Sequence, residues 1–134
     1  MIIPNGIECL IIEIRLKKLK WILFNIYNPS KSQISSHLSF LGKAIDHYAL
    51  NYDNILVLGD FNAEMSTNSM SDFCAQYDLK NLINESTCYK NIEKPMMLTN
   101  RHRSFMSSCT VETGLSDFHK MTITGLKINL KKIL

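Results

Sequence analysis

Residues Ile55-Leu56-Val57-Leu58-Gly59-Asp60-Phe61-Asn62 constrain this chain more than any other stretch. A continuous apolar run ends at a glycine, and an acid and an amide follow two positions apart. Such a run predicts a strand buried on both faces, in the middle of a sheet covered by helices. Gly59 allows the backbone to turn at the strand's end, so that Asp60 and Asn62 emerge together at the sheet's rim. In open α/β sheets that rim is where ligands bind. A carboxylate and an amide there can hold a hydrated divalent cation, orient a water and contact a phosphate oxygen. An Asx-type turn, in which both side chains satisfy only their own backbone, reads the same residues equally well.

The elements around this run give it a setting. Ile7 to Ile14 and Trp21 to Tyr27 are rich in isoleucine and aromatics and flank the basic stretch Leu16-Lys17-Lys18-Leu19-Lys20. They predict a hairpin with a charged turn, closed by Asn28-Pro29-Ser30, where Pro29 stops the ladder. Ile34, Leu38, Leu41, Ile45 and Tyr48 then step by four and three and predict a helix, with Ser30 or Ser32 as its cap. Strand, helix and second strand make the alternation of an α/β fold. Met70, Phe73, Cys74 and Tyr77 mark a short second helix, with Ser69 and Asp72 as a capping pair. Leu79 to Ile83 is a candidate short strand, Asn84 to Asn100 has no regular pattern, and Met121 to Ile128 alternates as a final strand.

The chain has 134 residues, 46% hydrophobic and 20% charged, which suits one domain with a real core and excludes a disordered or collagen-like chain. A net charge of +3 is compatible with nucleic acid without demanding it. The cations cluster at Arg15, Lys17, Lys18 and Lys20, at Arg101 and Arg103, and at Lys127, Lys131 and Lys132, the last within a basic tail at 129–134. Cys9, Cys74, Cys88 and Cys109 follow no zinc pattern, so four reduced thiols are expected. The sequence carries no secretory signal and no transmembrane run, which predicts a cytoplasmic or nuclear protein without a membrane partner.

Two further places put polar groups at strand ends. Tyr27 closes an apolar strand before Pro29, where a phenol can donate to a phosphate or a carboxylate; an amphipathic core tyrosine is the alternative. Ser116-Asp117-Phe118-His119 sets an acid beside an imidazole, as a base with its orienter, a metal ligand or a surface turn.

Taken in order, Ile26-Tyr27-Asn28-Pro29, Leu56-Val57-Leu58-Gly59-Asp60-Phe61-Asn62 and Glu112-Thr113-Gly114-Leu115-Ser116-Asp117-Phe118-His119 resemble the later part of the endonuclease/exonuclease/phosphatase superfamily. The nearest likeness is the endonuclease-like domain of non-LTR retrotransposons. Glu85-Ser86-Thr87-Cys88-Tyr89 and Leu98-Thr99-Asn100 are similar to that group too, and the resemblance runs from about Gly6 to Lys127. It implies a single partial domain over residues 1–134, an α/β sandwich of two sheets whose N-terminal strands are missing. It also implies magnesium-dependent phosphoester hydrolysis on DNA or another phosphodiester. Asp60 would orient or deprotonate the attacking water, and Asn62 would hold that water or a phosphate oxygen. Tyr27 would support the phosphate and the Asp60 carboxylate. Asp117 would serve the metal or the imidazole, His119 would be the family's histidine, and Asp60 and Asp117 are the candidate metal ligands.

The chain also departs from the family's pattern. The family's metal-binding glutamate precedes the region matched here. Glu93-Lys94-Pro95-Met96-Met97 stands where an aspartate normally orients the histidine, and Phe118 separates Asp117 from His119. On extended backbone, that one-residue shift reverses the side chain's face. The expectation is a degenerate copy, weakly active or inactive, partnered by DNA, by a missing N-terminal half or by a reverse transcriptase region. The alternative is a non-catalytic α/β fragment with weak nucleic-acid affinity.

Overall fold

A computed structural model describes residues 6–29, 33–64, 66–84, 96–114 and 120–127. The predicted hairpin forms as β1 (Glu8–Leu16) and β2 (Leu19–Tyr27), paired antiparallel without a bulge across nine register positions. Its turn is tighter than the basic stretch suggested: Lys17 and Lys18 alone form the loop, with Lys17 at φ +57°. The chain then crosses the sheet as α1 (Ile34–Ala49) and returns as β3 (Asn54–Asp60), parallel to β2. The strand, helix and strand alternation expected from sequence is therefore present.

After β3 come α2 (Asn68–Gln76), the two-residue strand β4 (Lys80–Asn81) and β5 (Met96–Thr99). These complete a five-stranded mixed sheet in the order β1-β2-β3-β5-β4. A 3-10 turn at His102–Ser104 leads to β6 (Cys109–Val111) and β7 (Met121–Ile123), which pair as a separate two-stranded sheet. Among the described residues, no helix is long and apolar enough to cross a membrane. Cys9, Cys74 and Cys109 are free thiols, and Cys88 and the tail at 129–134 lie outside the described residues.

The core sits between the sheet and the two helices. Ile22, Phe24 and Ile26 of β2, Ile55 and Val57 of β3, and Met96 and Leu98 of β5 all face the helices and are buried. Against them α1 sets Leu38, Leu41, Ala44 and Ile45, and α2 sets Met70, Phe73 and Cys74. Gly42 lets the two helices close up, since a Cβ there would lie 2.6 Å from the Tyr77 hydroxyl.

Several expectations need correcting. The β3 run is buried on one face only: Ile55 and Val57 are sealed under the helices, while Leu56 and Leu58 on the other face are half-buried. That second face is covered at one end, where Phe105 meets Trp21 edge-on at 5.6 Å. A cavity of about 210 Å³ remains between Leu56, Leu58 and Met97 on the sheet and Phe105 and Leu126. Gly59 does not end the strand, because the ladder runs through it to Asp60.

The helix caps differ as well. Position N-cap of α1 is Gln33, with Ser36 Oγ donating to the Gln33 carbonyl at 2.8 Å, and Ser30 and Ser32 lie outside the described residues. For α2 it is Thr67, whose Oγ1 donates to the Glu64 carbonyl at 2.9 Å; Ser69 is already inside the helix. Finally, Met96 to Thr99 is a central strand within a region that carried no pattern, and the last strand stops at Ile123 rather than Ile128.

Candidate active site

Parallel pairing of β2 and β3 sets Tyr27 directly beside Asp60 at the C-terminal ends of the two strands. Partners in a parallel ladder share a face of the sheet, so both belong to the face opposite the helices. Tyr27 is about half exposed, and Asp60 is exposed. This is the rim at which open α/β sheets take ligands.

Gly59 is what lets the rim close. Its φ is +140°, and a Cβ there would lie 1.8 Å from the Ile26 carbonyl oxygen, with the Ile26 carbonyl carbon and nitrogen inside 3 Å. Only glycine tolerates both that conformation and that approach.

Beyond the strand ends the two chains are clasped by asparagines. Asn28 is fully buried; its backbone N–H donates to the Asp60 carbonyl at 2.9 Å, and its Nδ2 donates to the Phe61 carbonyl at 2.9 Å. In return Asn62 Nδ2 donates to the Asn28 carbonyl at 2.6 Å. Asn62 itself sits at φ +46°, a region that asparagine enters more readily than most residues. Its backbone N–H donates to Asp60 Oδ1 at 2.9 Å, which is the Asx turn weighed against a ligand site from sequence.

The Asx turn is formed and accounts for part of the motif. One Asp60 oxygen is engaged in the turn, and the carboxylate still stands exposed beside Tyr27. Asn62 is more committed: one proton of its amide fixes the neighbouring loop. Among the described residues, no hydrogen bond joins the Tyr27 hydroxyl to Asp60.

Asp117 and His119 lie outside the described residues, as do Leu115, Ser116 and Phe118. The residue sequence reasoning passed over is Asn28. Its signal was available: an asparagine between a strand end and a proline has a short amide that can cap neighbouring backbone. Asn25 shares the rim's face of β2, opposite Leu58, and is exposed.

Asp60 is not the rim's sole carboxylate: Glu8 of β1 is the register partner of Tyr27 on the same face and is exposed, so Glu8, Tyr27 and Asp60 form one row across three strands. Even so, among the described residues no group of three His, Cys, Asp or Glu is placed to hold a metal ion. The described side chains therefore do not by themselves fit a divalent cation. A separate groove of about 430 Å³ runs between α1 and α2, lined by Lys43, Asp46, Asp72 and Tyr77, and includes none of the rim residues. Within it Asp46 accepts from the Tyr77 hydroxyl at 3.3 Å, and burial, with the charge and hydrogen bond of Asp46, pushes the phenol above its ordinary pKa.

No family profile and no curated protein sequence matches this chain. Solved structures do. The endonuclease domain of TRAS1, a telomere-specific non-LTR retrotransposon, matches at a TM-score of 0.73 and 14% identity, over 93% of this chain and 65% of that one. A functionally unknown conserved protein from Enterococcus faecalis matches at 0.61 and 12% identity, over 82% and 52%. A mannosyl-6-phosphatase from Bacteroides thetaiotaomicron matches at 0.57 and 11% identity, also over 82% and 52%. An endonuclease/exonuclease/phosphatase family protein from the same organism matches at 0.56. The fold is therefore the α/β fold of the endonuclease/exonuclease/phosphatase type, and the chain spans between half and two thirds of the structures it resembles.

Proposed function

We propose that this chain is a degenerate endonuclease or phosphodiesterase domain of the retrotransposon type, whose rim receives a phosphodiester backbone with little or no turnover as the chain stands. The observation that carries this reading is the Tyr27–Asp60 pair at the C-terminal ends of two parallel strands, held by the Asn28–Asn62 clasp. The fold shared with phosphoester-handling proteins supports it.

Each side chain has a chemical part in this reading. Tyr27 donates from its hydroxyl to a non-bridging phosphate oxygen. Asp60 accepts a proton from, or aligns, a water approaching phosphorus through the oxygen that the Asx turn leaves uncommitted. Asn62 has a second amide proton to offer, and its backbone is fixed by the turn. Asp117 and His119 complete the site by resemblance. A divalent cation, magnesium in the family's chemistry, would stabilise charge on the phosphoryl oxygens and requires ligands beyond Asp60.

Low turnover follows from the departures from the family's pattern. Glu93-Lys94-Pro95-Met96-Met97 stands where an aspartate orients the family's histidine, Phe118 separates Asp117 from His119, and catalytic groups that act as a unit lose most of their effect when part of the unit is missing. The same departures favour a second reading, a non-catalytic fragment that binds nucleic acid only through its basic clusters.

A plasmid-nicking assay with magnesium and with EDTA, run beside Asp60→Ala, tests the proposal. The expected result is no appreciable magnesium-dependent nicking from protein that unfolds cooperatively. Strong nicking that disappears in Asp60→Ala would show a working site and overturn the proposed lack of turnover. Oligonucleotide binding separates the two readings: tighter binding by Asp60→Asn in EDTA, from removing a carboxylate beside the phosphate, supports the rim. Binding indifferent to that change supports the basic clusters.

A further inference from the structure

The described edge of the sheet offers an interaction surface. Among the described residues, strand β1 is the outermost strand on its side, nine residues long, without a bulge or a proline. Its two-residue loop requires Leu16 and Leu19 to exchange both backbone hydrogen bonds, which sets the phase of the whole ladder. Glu8, Leu10, Ile12, Ile14 and Leu16 then bond inward to β2, and Cys9, Ile11, Glu13 and Arg15 turn their N–H and C=O groups outward. None of those outward groups has a backbone partner among the described residues. Long apolar edges are normally blunted by proline, a bulge or inward-pointing charge. The charges on the helix-side face of β1, Glu13 and Arg15, are paired with each other, and Glu13 also accepts from the Tyr52 hydroxyl. The face that escapes the helices presents Leu10, 57% exposed, and Ile12, 39% exposed.

The geometry points to a second copy of this chain as the occupant, pairing β1 with β1 across a two-fold axis perpendicular to the sheet. Such an axis forces antiparallel partners whose residue numbers share parity, so that the faces of both sheets stay continuous. Centred on Ile12, the pairing uses all four outward residues: Cys9 bonds Arg15, and Ile11 bonds Glu13, each twice. On the open face Leu10 meets Ile14 and Ile12 meets Ile12, an apolar ladder in the closely spaced pair type, with Cα atoms about 4.5 Å apart. No like charges meet: Glu8 opposes Leu16, Glu13 opposes Ile11, and Arg15 opposes Cys9. The strand is complementary to itself in backbone, in apolar pattern and in charge, and the dimer is a continuous ten-stranded sheet.

Sedimentation of the full chain across a concentration series tests this. Reversible self-association to two chains is expected, and Glu13→Pro should abolish it. That proline removes an outward donor, together with a carboxylate bonded to Arg15 and the Tyr52 hydroxyl, and leaves the β1–β2 backbone bonds and the apolar face in place. Ile12→Cys gives an independent reading that does not depend on the proline variant folding. It should form an interchain disulfide under mild oxidation, because only Ile12 faces its own copy, whereas Leu10→Cys should not. A wild-type chain that stays monomeric would overturn the proposal. A dimer that persists in Glu13→Pro, or Leu10→Cys crosslinking as readily as Ile12→Cys, would overturn it too and indicate packing through the open face.

Discussion

Substituting Gly59 by alanine is the sharpest probe of how the rim is built. The added Cβ would stand 1.8 Å from the Ile26 carbonyl oxygen, where ordinary contact begins beyond 3 Å, and the obstructing atoms are backbone. Strands β2 and β3 must therefore separate by more than an ångström at the point where Tyr27 and Asp60 are paired. The residue must also hold φ +140°, which costs a side-chain-bearing residue of order 1–3 kcal/mol. Adding loss of the local ladder gives a destabilisation of about 3–5 kcal/mol, a large part of the total stability of an ordinary domain. Gly114→Ala is the internal control. It also has a positive φ, +68°, but no atom of the described residues lies within 4 Å of its Cβ, so only about 1 kcal/mol is expected. Urea denaturation of wild type and both variants measures the difference. Gly59→Ala falling within about 1 kcal/mol of Gly114→Ala would refute the claim that close approach to Ile26 fixes this glycine.

Three further outcomes follow from individual contacts. Asn28→Ala should cost about 2–3 kcal/mol in chemical denaturation, because it leaves the Phe61 carbonyl without its buried donor and opens a small void. Thr99→Val, nearly isosteric, should cost about 1–2 kcal/mol: the fully buried Oγ1 donates to the Ile55 carbonyl at 2.7 Å and accepts from the Arg101 N–H at 3.1 Å. His37 is buried on α1 with neither ring nitrogen hydrogen-bonded among the described residues, and burial holds its pKa below 6.5. Between that depressed value and 6.5 the unfolded chain binds more protons, so this group's contribution to stability is full above 6.5 and is lost as pH falls. Denaturation midpoints on either side of that window should therefore drop less in His37→Leu than in wild type.

Much of the scaffold was legible because it obeys simple periodicities. The apolar stripe of α1 appears in sequence as Ile34, Leu38, Leu41, Ile45 and Tyr48, and the structure buries Leu38, Leu41 and Ile45 against the sheet. The hairpin and the parallel return to β3 follow from isoleucine-rich runs separated by a turn and a helix. Strand β5 was invisible because Met96 to Thr99 is short and methionine-rich, and what holds it is tertiary: its ladder to β3 and the Thr99 hydroxyl. The cap of α2 was misplaced because Ser69 and Asp72 fit the pattern, whereas Thr67 reaches back to Glu64 and starts the helix earlier. At the site, Asp60 and Asn62 announced themselves by following an apolar run. Asn28 did not, because its part is played by the amide and backbone together across 33 residues, a contact no local pattern encodes.

Whether the rim receives a phosphodiester is best decided by an NMR titration of the isotope-labelled chain with a short DNA oligonucleotide, followed by backbone amide shifts. If it does, the largest changes fall on Tyr27, Asn28 and the stretch from Gly59 to Asn62, and Tyr27→Phe weakens them. Shifts confined to the basic turn at Lys17 and Lys18 or to the groove between α1 and α2, with the rim unmoved, would contradict a phosphate-receiving rim.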